Sequence, residues 1–192
     1  MPIIRFVSVL CVSLGIATTG CTQAGPSIRP VAGVDLQRFA GRWYVIASIP
    51  TRFERGGHNS AETYRQMPDG TMCTWFRQRP NDFTAPVKLI HSSASVVAGS
   101  GNGEWSVRFF GFLHAQYLIG WLSADYDQVM VVRDARDYIW YMAREPQVSD
   151  TDYHAMLSRA AAMGYDIGAI EKIPQRWPEV GPGSDTFEGN CP

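Results

Sequence analysis

A segment near the start of the chain, residues 41–50 (GRWYVIASIP), constrains the fold more than any other. Aromatic and β-branched residues fill it, a glycine opens it and a proline closes it, which is typical of a β-strand. Side chains alternate between the two faces of a strand, and one face carries Trp43, Val45, Ala47 and Ile49. We expect Trp43 to seal one end of a small barrel and the other three side chains to line its lumen.

Seven more short strands are predicted after this one, each bounded by residues that favour turns. They cover residues 60–66, 71–78, 87–97, 104–110, 117–123, 128–133 and 138–143. Eight short strands at this spacing are typical of an all-β barrel or sandwich. If they close into a barrel, its interior can hold one small ligand. The 192 residues are enough for one domain of this kind.

One amphipathic helix is predicted after the strands. Ser149 and Asp152 resemble a capping box with Asp in place of the usual Glu. Gly164 has the position expected of a residue that ends a helix. Residues 165–173 are predicted to add one more short strand. The apolar face of the helix, spaced at three and four residues, comprises Tyr153, Met156, Leu157, Ala160 and Ala161.

The first residues of the chain are predicted to form an export signal that is not part of the folded domain. Residues 6–17 are apolar but too few to span a membrane, as in a signal peptide over residues 1–20. Small residues directly before Cys21 resemble a bacterial lipobox, although Thr18 stands where a leucine is usual. We expect Cys21 to carry lipid and residues 21–33 to form a tether; ordinary cleavage nearby is the alternative.

The remaining cysteines predict a disulfide. Cys11 leaves with the signal peptide and Cys21 would be lipidated, which leaves Cys73 and Cys191 as an even pair in an oxidising compartment. The alternative is a free, reactive Cys73 that serves as a catalytic nucleophile.

Charge and motif content argue against several other classes of protein. The formal net charge is -1 and charged residues make up 18% of the chain, so no basic stripe for nucleic acid is present. The four histidines lack the spacing of zinc ligands. No nucleophile elbow, P-loop or calcium loop occurs in the sequence. We therefore predict no metal, no cofactor, no catalytic residue and no nucleic-acid partner.

Three motifs, in order along the chain, resemble the signatures of the lipocalin family. The Gly-x-Trp-Tyr of residues 41–44 resembles the first signature, Asp125-Tyr126 the second, and residues 137–146 (DYIWYMAREP) the third. Residues 52–56 (RFERG) are similar to the bacterial outer-membrane lipoprotein branch of the family. The resemblance extends from about residue 34 to residue 173 and beyond.

The resemblance implies a fold. It is an eight-stranded antiparallel up-and-down β-barrel with one C-terminal α-helix packed outside, over residues 34–177, followed by a tail over residues 178–192. It also implies that Arg144 lies over the ring of Trp43, next to Gly41, and that these residues close the barrel rather than catalyse. In many lipocalins a disulfide joins a central strand to the tail, as Cys73 and Cys191 would.

The resemblance also implies a function: binding of a hydrophobic small molecule in the lumen, with a fatty acid or lysophospholipid as the expected ligand. Thr22 after the lipidated cysteine implies anchoring to the outer membrane, facing the periplasm. A homodimer is left open. The alternatives are an enzyme acting on a lipid or carotenoid, which would need an unpaired Cys73 or another activated nucleophile, and a structural protein with a filled barrel.

Side chains on the inward parity of the strands are the candidates for ligand contact. Glu62 could face either the lumen, where it would have to be paired or protonated, or solvent. The complete set of lumen candidates is Val45, Ala47, Ile49, Glu62, Tyr64, Trp105, Val107, Phe109, Tyr117, Ile119, Trp121, Tyr138, Trp140 and Met142.

Overall fold

The computed structural model describes residues 25–191. The predicted signal peptide and the lipidation site at Cys21 lie outside the described residues. No helix in the described part of the chain is long and apolar enough to cross a membrane. The elements in chain order are α1 (Leu36–Phe39), β1 (Gly41–Ile49), β2 (Gly57–Gln66), β3 (Met72–Pro80), β4 (Lys88–Val96), β5 (Glu104–Phe109), β6 (Leu113–Leu122), β7 (Gln128–Val132), β8 (Ile139–Ala143), α2 (Asp150–Ala162), a 3₁₀ turn (Ile167–Ala169) and β9 (Glu171–Lys172).

Strands β1–β8 form a closed antiparallel barrel with up-and-down topology. Each strand from β2 to β8 pairs with its neighbours in sequence, and β1 pairs with both β8 and β2. The first, third, fifth and seventh connections of the barrel lie at one end, which we call the open end; α1 lies at the other, closed end. Strand β9 pairs with β1 at Ala47 and Ser48. The structure thus confirms the eight-stranded barrel and the additional short strand.

Two strands begin three or four residues earlier than predicted. Strand β2 begins at Gly57 and β6 at Leu113, ahead of the predicted starts at residues 60 and 117. The hairpin ladders continue to the open end, where Gly57 pairs with Pro80 and Leu113 with Phe109. Turn-favouring glycines beside both positions are the reason that the predicted strands were too short.

Helix α2 is capped at both ends as predicted. The amide of Asp152 donates to the Ser149 hydroxyl at 3.1 Å, and this hydroxyl donates to the Asp152 carboxylate at 2.7 Å. Gly164 adopts a φ of 85° and ends the helix in a Schellman motif together with Tyr165. These caps fix the helix bounds, and the apolar face of the helix then determines how it packs.

Apolar side chains form two clusters, one inside the barrel and one between the barrel wall and α2. The inner cluster includes Trp43 and extends through the lumen. In the outer cluster, Met130 and Tyr141 of the wall pack with Met156 and Ala160 of the helix. The helix therefore packs outside the barrel, as the resemblance implied.

Two β-bulges change which apolar cluster the following side chains of a strand join. The register of β1 against β8 shifts between Val45 and Ala47, and that of β6 against β7 shifts between Ile119 and Trp121. At a bulge two residues take the place of one, so the alternation of side chains reverses. Ala47, Ile49 and Trp121 consequently lie in the outer cluster. The prediction that these three side chains line the lumen is wrong.

Glycine is required at the second bulge. A Cβ atom on Gly120 would lie 2.6 Å from a methyl group of Val132, which is too close for any side chain. Beyond this glycine, Trp121 faces outward and its ring lies 4.1 Å from the guanidinium carbon of Arg159 on α2. The bulge therefore supplies one of the contacts that hold the helix.

Aromatic side chains fill the closed end. The indole nitrogen of Trp43 donates to the carbonyl of Phe39 at 2.8 Å. The Phe39 ring packs on Trp43, Tyr64 and Trp105, with ring centroids 5.1–5.2 Å apart. Arg144 lies with its guanidinium carbon 3.8 Å from the centre of the Trp43 ring, so the cation–π contact implied by the resemblance is present.

The C-terminal segment, residues 174–191, covers the outer face of β2 and β3. Cys191 is bonded to Cys73 on β3, which confirms the predicted disulfide. Glu179 forms ion pairs with Arg77 at 2.7 Å and Arg79 at 3.0 Å, and all three side chains are at most 4% exposed. The tail is thus tied to the barrel by a covalent bond and by buried charges.

The described part of the predicted tether, residues 25–33, lies against the barrel. Arg136, in the loop between β7 and β8 at the open end, donates to the carbonyls of Gly25 and Pro26. Further along, the amide of Val31 donates to the carbonyl of Ile119 at 2.8 Å. Residues 25–33 therefore run from the open end along the barrel wall toward the closed end.

Candidate ligand-binding site

A cavity of about 240 Å³ occupies the part of the barrel nearest the open end. This volume lies just below the range of ~300–1,000 Å³ that is usual for small-molecule sites. Most of the lining side chains are aromatic or aliphatic. The barrel is therefore filled toward its closed end and hollow toward its open end.

The structure brings together eight of the predicted lumen residues around this cavity. Val45, Ile119 and Met142 face inward as well, but they belong to the inner cluster without lining the cavity. Contact of any of them with a ligand remains a prediction. The eight that line the cavity are Glu62, Tyr64, Trp105, Val107, Phe109, Tyr117, Tyr138 and Trp140.

Strands β3 and β4 contribute lining residues that the sequence analysis missed. Thr74 pairs with Ser92, and Phe76 pairs with Ile90, so the four side chains share the inner face of the sheet. Their alternate spacing was a usable signal. They were missed because polar and apolar residues are mixed on both faces of these strands.

Stacked aromatic rings form much of the cavity wall. The rings of Trp105 and Tyr117 stack with centroids 4.9 Å apart and planes 6° apart. Phe76 and Trp140 stack at 5.4 Å and 17°. Such surfaces offer extensive apolar contact to a ligand without offering it hydrogen bonds.

Glu62 places a carboxyl group on the inner face of β2. It is 3% exposed and lines the cavity, so of the two orientations considered the structure shows the inward one. Burial, offset only in part by a hydrogen bond with Thr74 and reinforced by the negative charge of Glu54, raises the pKa of Glu62 to about 8. Glu62 is therefore mostly protonated at neutral pH.

Hydroxyl groups near Glu62 bond to one another. The Tyr64 and Tyr117 hydroxyl oxygens lie 2.7 Å apart, and those of Thr74 and Ser92 lie 2.9 Å apart. Burial raises the pKa of both tyrosines well above the ordinary value, so both remain neutral. The cavity thus combines apolar walls with a small polar patch.

The loop between β1 and β2 folds over the open end. Its Glu54 carboxylate accepts a hydrogen bond from the amide of Thr51 at 2.7 Å, and the Gln78 side chain donates to the carbonyl of Phe53 at 2.6 Å. Burial raises the pKa of Glu54, although hydrogen bonds from Thr51 and Trp140 oppose this shift. The loop is therefore held in place by named contacts with the barrel.

Large apolar side chains are exposed around the open end. Phe53 is 41% exposed, Phe110 59%, Phe112 72% and Leu113 51%. Three of them, all except Phe112, also line the cavity, as do Arg52 and Arg133. The rim of the cavity is therefore apolar and basic. We call Phe53, Phe110, Phe112 and Leu113 the apolar rim.

The lining groups offer apolar contact and hydrogen bonds. Within residues 25–191, no group of His, Cys, Asp and Glu side chains is arranged to hold a metal ion.

Three features together define a lipocalin-type binding protein. They are a small closed barrel, a tryptophan and an arginine that close one end, and an apolar cavity at the other end.

The chain belongs to the lipocalin family: residues 34–175 match the lipocalin-like domain. Temperature-induced lipocalin-1 of Arabidopsis thaliana is 30% identical over 158 residues, covering 76% of this chain and 81% of that protein. The outer membrane lipoprotein Blc of Escherichia coli K12 is 27% identical over 157 residues, covering 81% of this chain and 88% of that protein. These matches confirm the resemblance to the bacterial lipoprotein branch.

Solved structures show the same fold at low sequence identity. Insecticyanin from the tobacco hornworm Manduca sexta aligns with a TM-score of 0.63 and 12% identity, covering 80% of this chain and 87% of that one. A likeness at this level of identity supports the barrel architecture alone.

Proposed function

We propose that the protein is a lipocalin of the bacterial envelope that binds a fatty acid or lysophospholipid in its lumen, for lipid storage or transport at the membrane. The observation that carries this proposal is the apolar cavity of about 240 Å³ at the open end of the barrel. Each buried CH₂ group contributes roughly 0.8 kcal/mol, so one acyl chain would gain several kcal/mol on entering. A filled barrel would offer no such gain.

The charged head of the ligand would stay at the open end. Arg52 and Arg133 line the cavity there and can face a carboxylate or phosphate. Deeper in the lumen, the acidic Glu62 makes burial of a negatively charged head group costly. This arrangement supports entry of the acyl chain first.

The path of the N-terminal segment supports an anchor beside the open end. Gly25 contacts Arg136 in an open-end loop, and Cys21 precedes Gly25 by four residues, which span at most about 14 Å. A lipid on Cys21 would therefore hold the open end near the membrane. The relatives named outer membrane lipoprotein Blc favour the outer membrane, and we propose that the protein faces the periplasm.

The apolar rim supports the same orientation. Exposed Phe110 and Phe112 at the tip of one loop can enter the lipid interface, and Arg52 and Lys88 can face anionic head groups. Lipid could then pass between the membrane and the cavity without crossing water.

The enzymatic alternative required an unpaired Cys73 or another activated nucleophile. This cysteine is bonded to Cys191 and is fully buried under the tail, on the face of β3 opposite to the cavity-lining Thr74. Cys73 is therefore not the nucleophile that this alternative needs.

Native mass spectrometry of the full-length protein, purified from the envelope of an expressing bacterium, tests the proposal. We expect an adduct with the mass of a fatty acid or lysophospholipid. The same spectrum gives the monomer or dimer state and the mass added at Cys21. Absence of any adduct, together with no tryptophan quenching on addition of either lipid, would contradict the proposal.

A matched pair of variants assigns the adduct to the cavity. Ala115 lines the cavity, whereas its neighbour His114 is exposed on the other face of β6. Ala115→Trp should remove the adduct because the indole would fill the lumen, and His114→Trp should retain it. If both variants retain the lipid, it is bound elsewhere.

A further inference from the structure

The Glu62 carboxyl is the starting point, because one of its oxygens has no partner. Oε2 of Glu62 is buried and makes no hydrogen bond within the described part of the chain. The side chain lines the cavity, so a ligand can reach this oxygen. Buried polar atoms in proteins are nearly always bonded, and an exception inside a binding cavity points to a partner that the ligand supplies.

The hydroxyl groups around Glu62 make their hydrogen bonds elsewhere than to Oε2 in the described part of the chain. The hydroxyl groups of Tyr64 and Tyr117 bond to each other, as do those of Thr74 and Ser92. The basic residues that line the cavity, Arg52 and Arg133, lie in loops at the open end rather than in the strands. No basic side chain of the described residues forms an ion pair with Glu62, and the charged group that acts on its pKa is the acidic Glu54.

The depth of Glu62 determines which part of a ligand reaches it. Gly57 at the open end pairs with Pro80 and Glu62 pairs with Phe76, so four steps along β3, roughly 13 Å of strand, separate the two positions. With strands tilted by about 40°, the depth along the barrel axis is roughly 10 Å. A head group held at the rim cannot reach this position, whereas the middle of a long chain can.

The chemistry of Glu62 determines which group fits. A carboxylate there would add a second acid beside Glu62, which has no ion-pair partner among the described residues. An alkyl chain would leave Oε2 unpaired, at the full cost of burying a polar atom without a bond. A hydroxyl group both donates and accepts, so it pairs with Oε2 whether or not Glu62 carries its proton.

We propose that Glu62 forms a polar subsite that selects long-chain lipids with a hydroxyl group in the middle of the chain. The inference rests on the proposed function, because it assumes that an acyl chain enters the lumen with its head at the rim. It adds a preference within that ligand class, which apolar burial alone does not provide.

Relative affinities for three ligands test the proposal: stearate, stearate hydroxylated in the middle of the chain, and stearate hydroxylated beside the carboxylate. Each competes with a fluorescent fatty acid for the full-length protein in the same mild detergent. The readout is the affinity ratio of each hydroxylated ligand to stearate. Comparing these ratios between variants cancels the intrinsic differences in ligand solubility.

Glu62→Leu should lower the ratio for the mid-chain hydroxyl by about tenfold, the effect of one neutral hydrogen bond. Glu62→Gln keeps a donor and an acceptor and should retain most of the preference. The ratio for the hydroxyl beside the carboxylate should not change in either variant. Near-UV circular dichroism of both variants verifies that the barrel is folded.

The outcomes separate this inference from the proposed function. If stearate binds but the mid-chain ratio is equal in the wild type and in Glu62→Leu, the subsite is wrong and the lipid carrier remains. If no ligand binds to any variant, both proposals are wrong. A loss of the mid-chain preference confined to Glu62→Leu would support the subsite.

Discussion

Arg144 and Trp43 form the contact that closes the barrel, with the guanidinium carbon of the arginine 3.8 Å from the centre of the indole ring. The same guanidinium donates hydrogen bonds of 2.7–3.2 Å to five carbonyls, those of Arg38, Phe39, Ala40, Arg42 and Tyr126. Arg144, the residue directly after β8, thus holds together α1, the start of β1 and the loop between β6 and β7 at the closed end.

Replacing Arg144 should destabilise the whole barrel. Arg144→Met would keep the apolar stem but remove every one of these hydrogen bonds, and several carbonyls would lose their partner. We expect the free energy of unfolding to fall by about 2–4 kcal/mol, measured by urea denaturation. Arg29→Met is the matched control, because Arg29 is exposed and should cost less than about 0.5 kcal/mol. An equal effect of both substitutions would contradict the closing role of Arg144.

The disulfide should contribute substantially to stability. It joins Cys73 to Cys191 across 118 residues, and cross-links over long loops restrict the unfolded chain most strongly. Replacing both cysteines by alanine should lower the free energy of unfolding by about 2–4 kcal/mol. Hydrogen exchange should localise the change to residues 174–191. If α2 lost its protection against hydrogen exchange before the tail did, the disulfide would not be what holds the tail.

The apolar rim should mediate binding to lipid. Phe112 is 72% exposed at the open end, and its transfer into a membrane interface would bury apolar area. Phe112→Ser should weaken binding of the full-length protein without lipid on Cys21 to anionic vesicles by about fivefold, measured by vesicle sedimentation. Val97→Ser serves as the control, since Val97 is 38% exposed but lies at the closed end. Equal losses in the two variants would contradict docking through the rim.

Glu62 should make the protein less stable as the pH rises. Its pKa is raised from an ordinary value of 4.5 to about 8 by burial, so the folded state binds a proton that the unfolded state has lost between these values. The stabilisation is complete below the unfolded pKa and is lost progressively as the pH rises toward about 8. Thermal unfolding of the wild type and of Glu62→Gln at pH 5 and pH 8 measures this dependence.

The difference between the two proteins isolates Glu62, because Glu54 titrates in both of them. We expect the melting temperature of Glu62→Gln relative to that of the wild type to rise between pH 5 and pH 8. A constant difference across this range would mean that Glu62 is not buried as a neutral acid.

Local sequence patterns predicted the elements, and the family resemblance added their arrangement as an up-and-down barrel. The strand count and the helix caps at Ser149 and Gly164 follow from local patterns, and the pairing of Cys73 with Cys191 follows from the cysteine count. The closing contact of Arg144 with Trp43 came from family resemblance, because no local pattern in the chain relates two residues so far apart.

The side-chain directions beyond each bulge could not be predicted. Counting alternate positions from Trp43 is correct through Val45 but assigns Ala47 and Ile49 to the wrong face. The same happens to Trp121 beyond Gly120. A bulge depends on the partner strand as much as on its own residues, and a single strand's sequence does not contain that information. The orientation of Glu62, in contrast, required only the register between β1 and β2.

The two apolar clusters share strands, and this sharing bears on how the protein unfolds. Strand β1 contributes Val45 to the lumen and Ile46 to the surface under α2, and strand β6 likewise contributes Ile119 and Leu118. Neither apolar cluster can come apart without displacing a strand that the other one needs. Helix and barrel should therefore melt in one cooperative transition, with no populated state in which the helix has detached from an intact barrel.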